Sequence, residues 1–437
     1  MSVGDLLHTF NDHGDYTNVM GIDFSPDGTM LATGGAGSGS QVYIYDMSGN
    51  QIKNLTDMDS ANAVKFSNDG TKLAVTGCSI SKIKIYDVTD NFSFIKEIPT
   101  TSAAKGLDWS PDDSKLAARC DASIGIYDYA TGSEDYSFSS VSMYNKLHVA
   151  FSPDGNRIAG HKTNKTAGIW SLEDGSLINE LTWKESSGRY LQCVDWSNDG
   201  DNVLLSGYYN CESSKDNIVI RDYSDATKIN GWISGASGSG NLTVGKYSPD
   251  GGHIATVHGS GQSQNGTLEI YDTVGNNFTS ITGLGNFATN LAWHPTKTKI
   301  AVGLKKGEVR IYESGLSINN PPSIDSMSDV TISEGDLLQI QPSGSDPDDD
   351  ELTFYAEGDL ADFHDPNLGR LEWKPGYGQA GTYNVTFIAD DGFDQDSTQI
   401  TVTVEESSVS PTITPISDFD VLEKDNISFQ VQVDVNA

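Results

Sequence analysis

Between residues 334 and 391 the chain concentrates carboxylates in a pattern suited to a hard divalent cation. Asp346, Asp348 and Asp350 alternate along one segment, Asp390 and Asp391 follow a later β-rich run, and Glu334 precedes them all. Calcium takes roughly six to eight oxygen ligands, commonly several carboxylates from loops that meet in space. These side chains therefore form a candidate Ca²⁺ site. An EF-hand is the competing arrangement, because Asp346, Asp348, Asp350 and Glu357 fall at its first, third, fifth and twelfth positions. Glu351 argues against it, standing where that loop needs glycine, and Leu352–Tyr355 has the composition of a strand. The alternative is an acidic loop that is simply solvated.

Catalytic patterns are sparse. Neither HExxH nor GxSxG occurs, and the eight histidines are scattered. Gly240–Lys246 fits GxxxxGK, but Tyr247 replaces the hydroxyl that would hold Mg²⁺, and a turn signal follows in place of a helix. Cys78, Cys120, Cys193 and Cys211 are expected to be free, mostly buried thiols, since a chain of 437 residues buries enough surface to need no staples. Cys193 and Cys211 are the one pair worth checking as a disulfide.

The elements that would carry any site are set by a repeat. Phe24-SPDG, Phe66-SNDG, Trp109-SPDD, Phe151-SPDG, Trp196-SNDG, Tyr247-SPDG and a degraded Trp293-HPTK recur at intervals expected of four-stranded propeller blades. In the first unit Val19–Phe24 alternates as a half-buried strand does. Pro26, Asp27 and Gly28 then supply a fixed φ, a local acceptor and a positive φ for a tight reversal. Leu31–Thr33, Val42–Tyr45 and Gln51–Leu55 complete four strands. The aromatic before each turn is expected to pack between neighbouring blades.

Residues 5–315 resemble the WD-repeat propellers. The pairs Tyr45-Asp46, Tyr86-Asp87, Tyr127-Asp128 and Tyr271-Asp272 stand where that family has Trp-Asp. The family's early Gly-His pair is missing, so its buried Asp-His-Ser-Trp network is not expected here. The resemblance implies a binding scaffold and no particular activity. The seventh unit has three strands before Pro321-Pro322, whereas Asp5–Phe10 has no partner at its own end. Asp5–Phe10 is therefore expected to pair with Glu308–Tyr312 as the outer strand of the last blade, closing a seven-bladed ring.

Charge divides the chain. Of its 61 acidic side chains 25 lie in residues 316–437, with only three of the 27 basic ones. That balance argues against nucleic acid and anionic membrane surfaces as partners, since both would be repelled. Short runs at Val330–Ile332, Leu337–Gln341, Leu352–Tyr355, Tyr383–Ala389 and Gln399–Val404, spaced by Gly, Pro and Asp, indicate a β-sandwich. Pro411-Thr-Ile413 aligns with Pro322-Ser-Ile324 and Glu423 with Glu334, so a second sandwich repeat starts and stops at Ala437.

Glu334-Gly335, SDPDDDELTF from Ser345, LEWKP from Leu371 and QAGTYNVTFIADDG from Gln379 are similar to the cadherin-like and Ig-like repeats of prokaryotic surface proteins. That resemblance implies an extracellular stalk or adhesion module, in some members bound to calcium.

The expected architecture is thus all-β. It comprises a propeller over 1–315, a linker at 316–322, a sandwich over 323–406, and the first strands of an incomplete second sandwich over 407–437. The working surface is expected on the loop face rich in Gly, Ser and Tyr, with Tyr144, Tyr190, Tyr208, Tyr209 and Trp232 as contact anchors for a protein or a glycan. The competing role for these rings is to cover the edge of the blades. The functional expectation is a non-enzymatic recognition or adhesion protein, extracellular or at the cell surface, with self-association through 411–437 as a further option. A secreted hydrolase or lyase is the alternative function, and the cytoplasm the alternative location. No apolar run approaches a membrane span, and no export signal is visible at Met1.

Overall fold

The computed structural model describes residues 3–14, 17–37, 41–58, 60–77, 80–139, 148–183, 190–208, 217–232, 240–260, 266–316, 320–347, 352–365, 369–391 and 394–407. The chain forms two compact units, Met1–Ile318 and Asn319–Ala437.

Among the described residues the larger unit holds seven four-stranded antiparallel sheets, each built from strands consecutive in sequence except the last. Sheet 1 runs Asn18–Phe24, Met30–Ala36, Val42–Asp46 and Gln51–Leu55. The first strand of every sheet touches the first strands of both neighbours, and Ala288–Trp293 of sheet 7 returns to Asn18–Phe24. The sheets therefore close into a β-propeller whose first strands line the axis. The last sheet takes its outer strand from the other end of the chain. Leu6–Phe10 pairs antiparallel with Val309–Glu313, Phe10 lying opposite Val309. Phe10 is 6% exposed and stacks on Tyr45 at 4.0 Å between ring centroids.

The repeated turn is fixed by its own side chains. In sheet 1 the Ser25 hydroxyl donates to Asp27 at 2.6 Å, the Asp27 carboxylate accepts the Thr29 N–H, and the Met30 N–H donates to Ser25 Oγ. Gly28 has φ +70°, and a Cβ there would lie 2.4 Å from His294 Nε2 of sheet 7. Two turns carry a side chain at that positive-φ position, Asp113 and Lys297. Both use it to bind the preceding sheet's turn. Asp113 accepts the N–H groups of Asn68 and Asp69, each at 2.8 Å, and Lys297 pairs with Asp250 at 2.6 Å. A non-glycine residue in this region costs on the order of 1 kcal/mol, which a charge-assisted bond can offset.

The seams between sheets alternate in chemistry. From sheet 1 to 2, 3 to 4 and 5 to 6, an aspartate before the turn aromatic accepts the next sheet's aromatic N–H. These bonds are Phe66 to Asp23 at 2.9 Å, Phe151 to Asp108 at 2.8 Å and Tyr247 to Asp195 at 2.9 Å. At the intervening seams a tryptophan reaches backwards. Trp109, Trp196 and Trp293 donate Nε1–H to the carbonyls of Lys65, Ala150 and Lys246 at 3.2, 3.1 and 3.2 Å. A period of two cannot close a ring of seven sheets. The seam from sheet 7 to sheet 1 has its own lock, in which Asn290 Nδ2 donates to the Met20 carbonyl at 2.7 Å and His294 Nε2 to the Gly28 carbonyl at 2.9 Å.

The smaller unit is a two-layer sandwich. One sheet orders Val330–Ser333, Gln395–Glu405, Gly381–Asp390 and Thr353–Gly358; the facing one orders Leu338–Ile340, Arg370–Trp373 and His364–Asp365. Leu338, Leu371 and Trp373 meet Val385, Phe387, Ile400, Val402 and Val404 in the core. Val330–Ser333 runs parallel to Val402–Glu405, a pairing the apolar pattern does not specify. The expected start of a second sandwich lies outside the described residues from 408 onward.

Candidate functional site

Three places concentrate functional side chains, and the axial channel has the most developed geometry. The residue before each turn aromatic faces the axis, giving a belt of Asp23, Lys65, Asp108, Ala150, Asp195, Lys246 and Ala292 around a cavity of about 270 Å³. They share one layer because they occupy the same register position on seven equivalent strands. Lys65 pairs with Asp23 at 2.8 Å and Lys246 with Asp195 at 3.0 Å. Burial alone would pull the Lys246 ammonium down, but the Asp195 carboxylate outweighs it and holds Lys246 above its ordinary range. Asp108 has no such ion pair. Burial pushes its carboxyl up to about 6, against the opposing pull of Lys65 and the Phe151 N–H. The belt residues stand at one fixed offset in each repeat, immediately before the turn aromatic, but that spacing alone does not mark them as a site.

A second network ties the entering loops to the sheets. The Tyr45 hydroxyl donates to Asp12 at 2.7 Å, and the Tyr86 hydroxyl to Asp57 at 2.7 Å with Lys84 beside it at 2.8 Å. Tyr45 and Tyr86 thus hold carboxylates on the segments that lead into their own sheets, whereas the Tyr127 and Tyr271 hydroxyls donate to Glu134 and Glu269 on strands of their own sheets. In sheet 1 a buried His13 bonds Thr33 Oγ1 at 2.9 Å and meets the Tyr43 ring edge-on at 4.8 Å. This is a smaller contact than the Asp-His-Ser-Trp network of the resembling family, with Thr33 as its one hydrogen-bond partner among the described residues and a tyrosine ring beside it. His13-Gly14 supplies the imidazole in an order that a search for Gly-His misses.

The candidate calcium ligands do not all converge. Glu334 lies where Ser333 pairs with Glu405, whereas Asp390 pairs with Gln395 at the opposite end of the same 11-residue strand. Ten residues of strand separate the two ends by roughly 30 Å, so Glu334 cannot share an ion with Asp390 and Asp391. Its carboxylate instead accepts the N–H groups of Gly378 at 2.7 Å and Ala380 at 3.0 Å. Burial opposes its ionisation, but these amides and that of Ser407 outweigh the burial and hold the carboxyl below its ordinary range. Asp346 follows the strand Gly344–Ser345, and Ser345 pairs with Ser323. The neighbouring Ile324 N–H donates to Asp396, which places Asp346 toward the Asp390 end. Asp391 is 8% exposed and accepts the Asp394 N–H at 2.7 Å. Asp348 and Asp350 lie outside the described residues. Among the described residues no three His, Cys, Asp or Glu side chains are placed to hold a metal ion.

Of the expected contact anchors, Tyr144 and Tyr209 lie outside the described residues. Tyr190 and Tyr208 are paired with each other at the ends of two strands of sheet 5. Trp232 is half-buried against the Tyr271 ring at 5.4 Å and above Gly275 of the next sheet, so it covers a blade edge. Cys193 is a free thiol, pushed up to about 12 by burial, and Cys211 lies outside the described residues. Lys246 of the GxxxxGK segment sits on a strand with its ammonium on Asp195.

Comparison with known proteins finds two separate resemblances in the chain. Residues 319–405 match the family described as bacterial Ig domain, and residues 4–46 match the WD domain, G-beta repeat. The larger unit is similar to WD-repeat proteins. The chain is 27% identical over 186 residues to the serine-threonine kinase receptor-associated protein of Mus musculus, covering 41% of this chain and 52% of that protein. It is 27% identical over 178 residues to the WD repeat-containing protein SL1-17 of Schistosoma mansoni, covering 39% of this chain and 56% of that protein. Protein SOF1 of Saccharomyces cerevisiae is 24% identical over 176 residues, covering 39% of this chain and 34% of that protein. The chain thus spans about half the length of the receptor-associated relatives it matches. Among the described residues no helix is long and apolar enough to cross a membrane.

Proposed function

We propose that this protein is a non-enzymatic recognition protein, in which a seven-bladed propeller binds a protein partner and an acidic Ig-like module carries it at the cell surface or outside the cell. The observation that carries this reading is the asymmetry of the two ends of the ring. Every connection from first to second strand spans five residues, 25–29 in sheet 1 through 294–298 in sheet 7. The opposite end carries connections of unequal length, from two residues at 121–122 to nine at 140–148 and 209–217. A rigid ring with one uniform end and one variable end suits contact through the variable end, because the scaffold pays little entropy to present its loops. The similarity to WD-repeat proteins and to bacterial Ig domains supports a role in protein interaction.

The test is a binding survey of the whole chain against protein and glycan arrays, with each hit measured by calorimetry. Replacing 184–189 and 209–216 by Gly/Ser of equal length should weaken a protein ligand at least about tenfold. Asp27→Ala at the uniform end should leave it unchanged. Binding that follows Asp27→Ala, or ligands that are glycans only, would overturn the reading, and turnover of a bound polymer would favour the hydrolase alternative.

Calcium belongs to the same proposal in a reduced form. The ligands are Asp346, Asp348, Asp350, Asp390 and Asp391, without Glu334. Millimolar Ca²⁺ should raise the melting transition of the smaller unit in the whole chain by mass action on its native state. The transition of the larger unit should stay in place. An equal shift in an Asp348→Asn, Asp350→Asn variant, or no shift at all, leaves a solvated loop.

A further inference from the structure

We propose that the axial channel of the larger unit is a binding site for a compact cation that carries N–H donors, an alkylammonium or alkylguanidinium group recognised by Asp108 and His148. The cavity of about 270 Å³ has the volume of several water molecules at roughly 30 Å³ each. The small side chains Ala150 and Ala292 interrupt the charged belt and leave that room.

Charge decides the kind of ligand. Three carboxylates line the cavity, and two of them, Asp23 and Asp195, are taken by Lys65 and Lys246. Lys105 also lines it, but its ammonium is engaged by Asp121 at 2.7 Å. Asp108 is left as a surplus negative charge. One of its oxygens accepts the Phe151 N–H, and the other makes no hydrogen bond among the described residues. His148 is 8% exposed, lines the same cavity, and has a buried Nε2 with no hydrogen-bond partner. Burial holds its imidazole well below the ordinary range, so it is neutral and can accept a hydrogen bond. Buried polar atoms without partners are costly. A ligand that supplies both a positive charge and N–H groups satisfies the two acceptors and neutralises the surplus. A bare metal ion suits the site less well, since no third ligand converges there among the described residues.

The site should respond to pH, because a carboxyl held up at about 6 is protonated in mild acid and then offers no charge. The groups that face it are Lys65, Lys246, Asp23, Asp195, Lys105 and His148, none of which supplies a free carboxylate to replace it. This inference is independent of a protein partner at the loop end.

Calorimetric titration of the whole chain with methylguanidinium chloride tests it, in about 0.15 M salt so that diffuse charge is screened. Saturable binding to one site is expected at pH 7.5, weakened about tenfold or more at pH 5 and in Asp108→Asn. The asparagine keeps the shape and the acceptor for the Phe151 N–H, so the ring stays closed. Asp90→Asn, an exposed carboxylate elsewhere, should bind as the unaltered chain does. Tetramethylammonium, equally charged but without N–H, should not compete. Heats that fail to saturate, unchanged binding in Asp108→Asn, or equal competition by tetramethylammonium would each overturn the proposal.

Discussion

Removing residues 1–10 will lower the urea midpoint of the larger unit sharply while the transition of the smaller unit stays in place. The deleted strand supplies the fourth position of the last sheet, pairing Leu6 through Phe10 with Tyr312 through Val309. It also contributes Phe10 to the cluster that joins sheets 7 and 1, with Val19, Phe24, Tyr45, Val309 and Ile311. Losing one buried phenylalanine costs about 3 kcal/mol or more. Exposing a row of ladder groups and the apolar face of Val309–Glu313 adds to that, so a total of about 5 kcal/mol is expected. The effect should exceed that of any single surface substitution, and the bared edge should promote association. An unchanged midpoint for the larger unit would show that the ring does not depend on this closure.

The second large effect is acid sensitivity at His13. This imidazole is 7% exposed, and burial lowers its pKa to about 4, against the smaller opposing pull of the Asp12 carboxylate. In the unfolded chain it titrates near 6.5. Between these values the unfolded state binds the proton and the native state does not, so stability rises with pH. The contribution is complete above about 6.5 and is lost as pH falls toward 4, amounting to about 3 kcal/mol. Asp108 works in the opposite sense. Its carboxyl is held up at about 6, so protonation in the same interval favours the native state. The difference between the unaltered chain and His13→Gln isolates the histidine. Glutamine can keep the bond to Thr33, and the variant should show a flatter dependence of unfolding free energy on pH from 6.5 to 4. Parallel slopes for the two proteins would remove His13 as the cause.

Much of this architecture could be read in the chain before any coordinates. Each SPDG-type tetrapeptide marks a reversal because Pro, Asp and Gly act on the backbone locally, and the structure puts a five-residue turn at every one of them. The third strands of the second, third and sixth sheets begin and end at Lys82–Asp87, Ser123–Asp128 and Thr267–Asp272, as their β-branched and aromatic runs indicate. The change of charge after residue 315 marks a new module, because composition is a property of the segment itself. By contrast the last strand of the sandwich was legible only from Gln399 to Val404. Its early half, Gln395–Thr398, is polar and becomes strand by pairing with Ser397's opposite number Ile388 and its neighbours.

The local chemistry of turns and alternation was therefore set by the sequence, residue by residue, within a few positions of each other. What the tertiary structure decided is which distant side chains meet. Asp23, Lys65 and Asp108 recur about 42 residues apart, and nothing in that spacing says that they face one axis. Only the curvature of a closed ring brings them together, with two carboxylates matched to lysines and one left over. The same holds in reverse for Glu334, whose place among acidic neighbours in sequence suggested a shared ion. The direction and length of one strand carry it to the far end of the sandwich, where backbone amides take the place of a metal. Coulomb forces act through space, and the path of the backbone sets those distances.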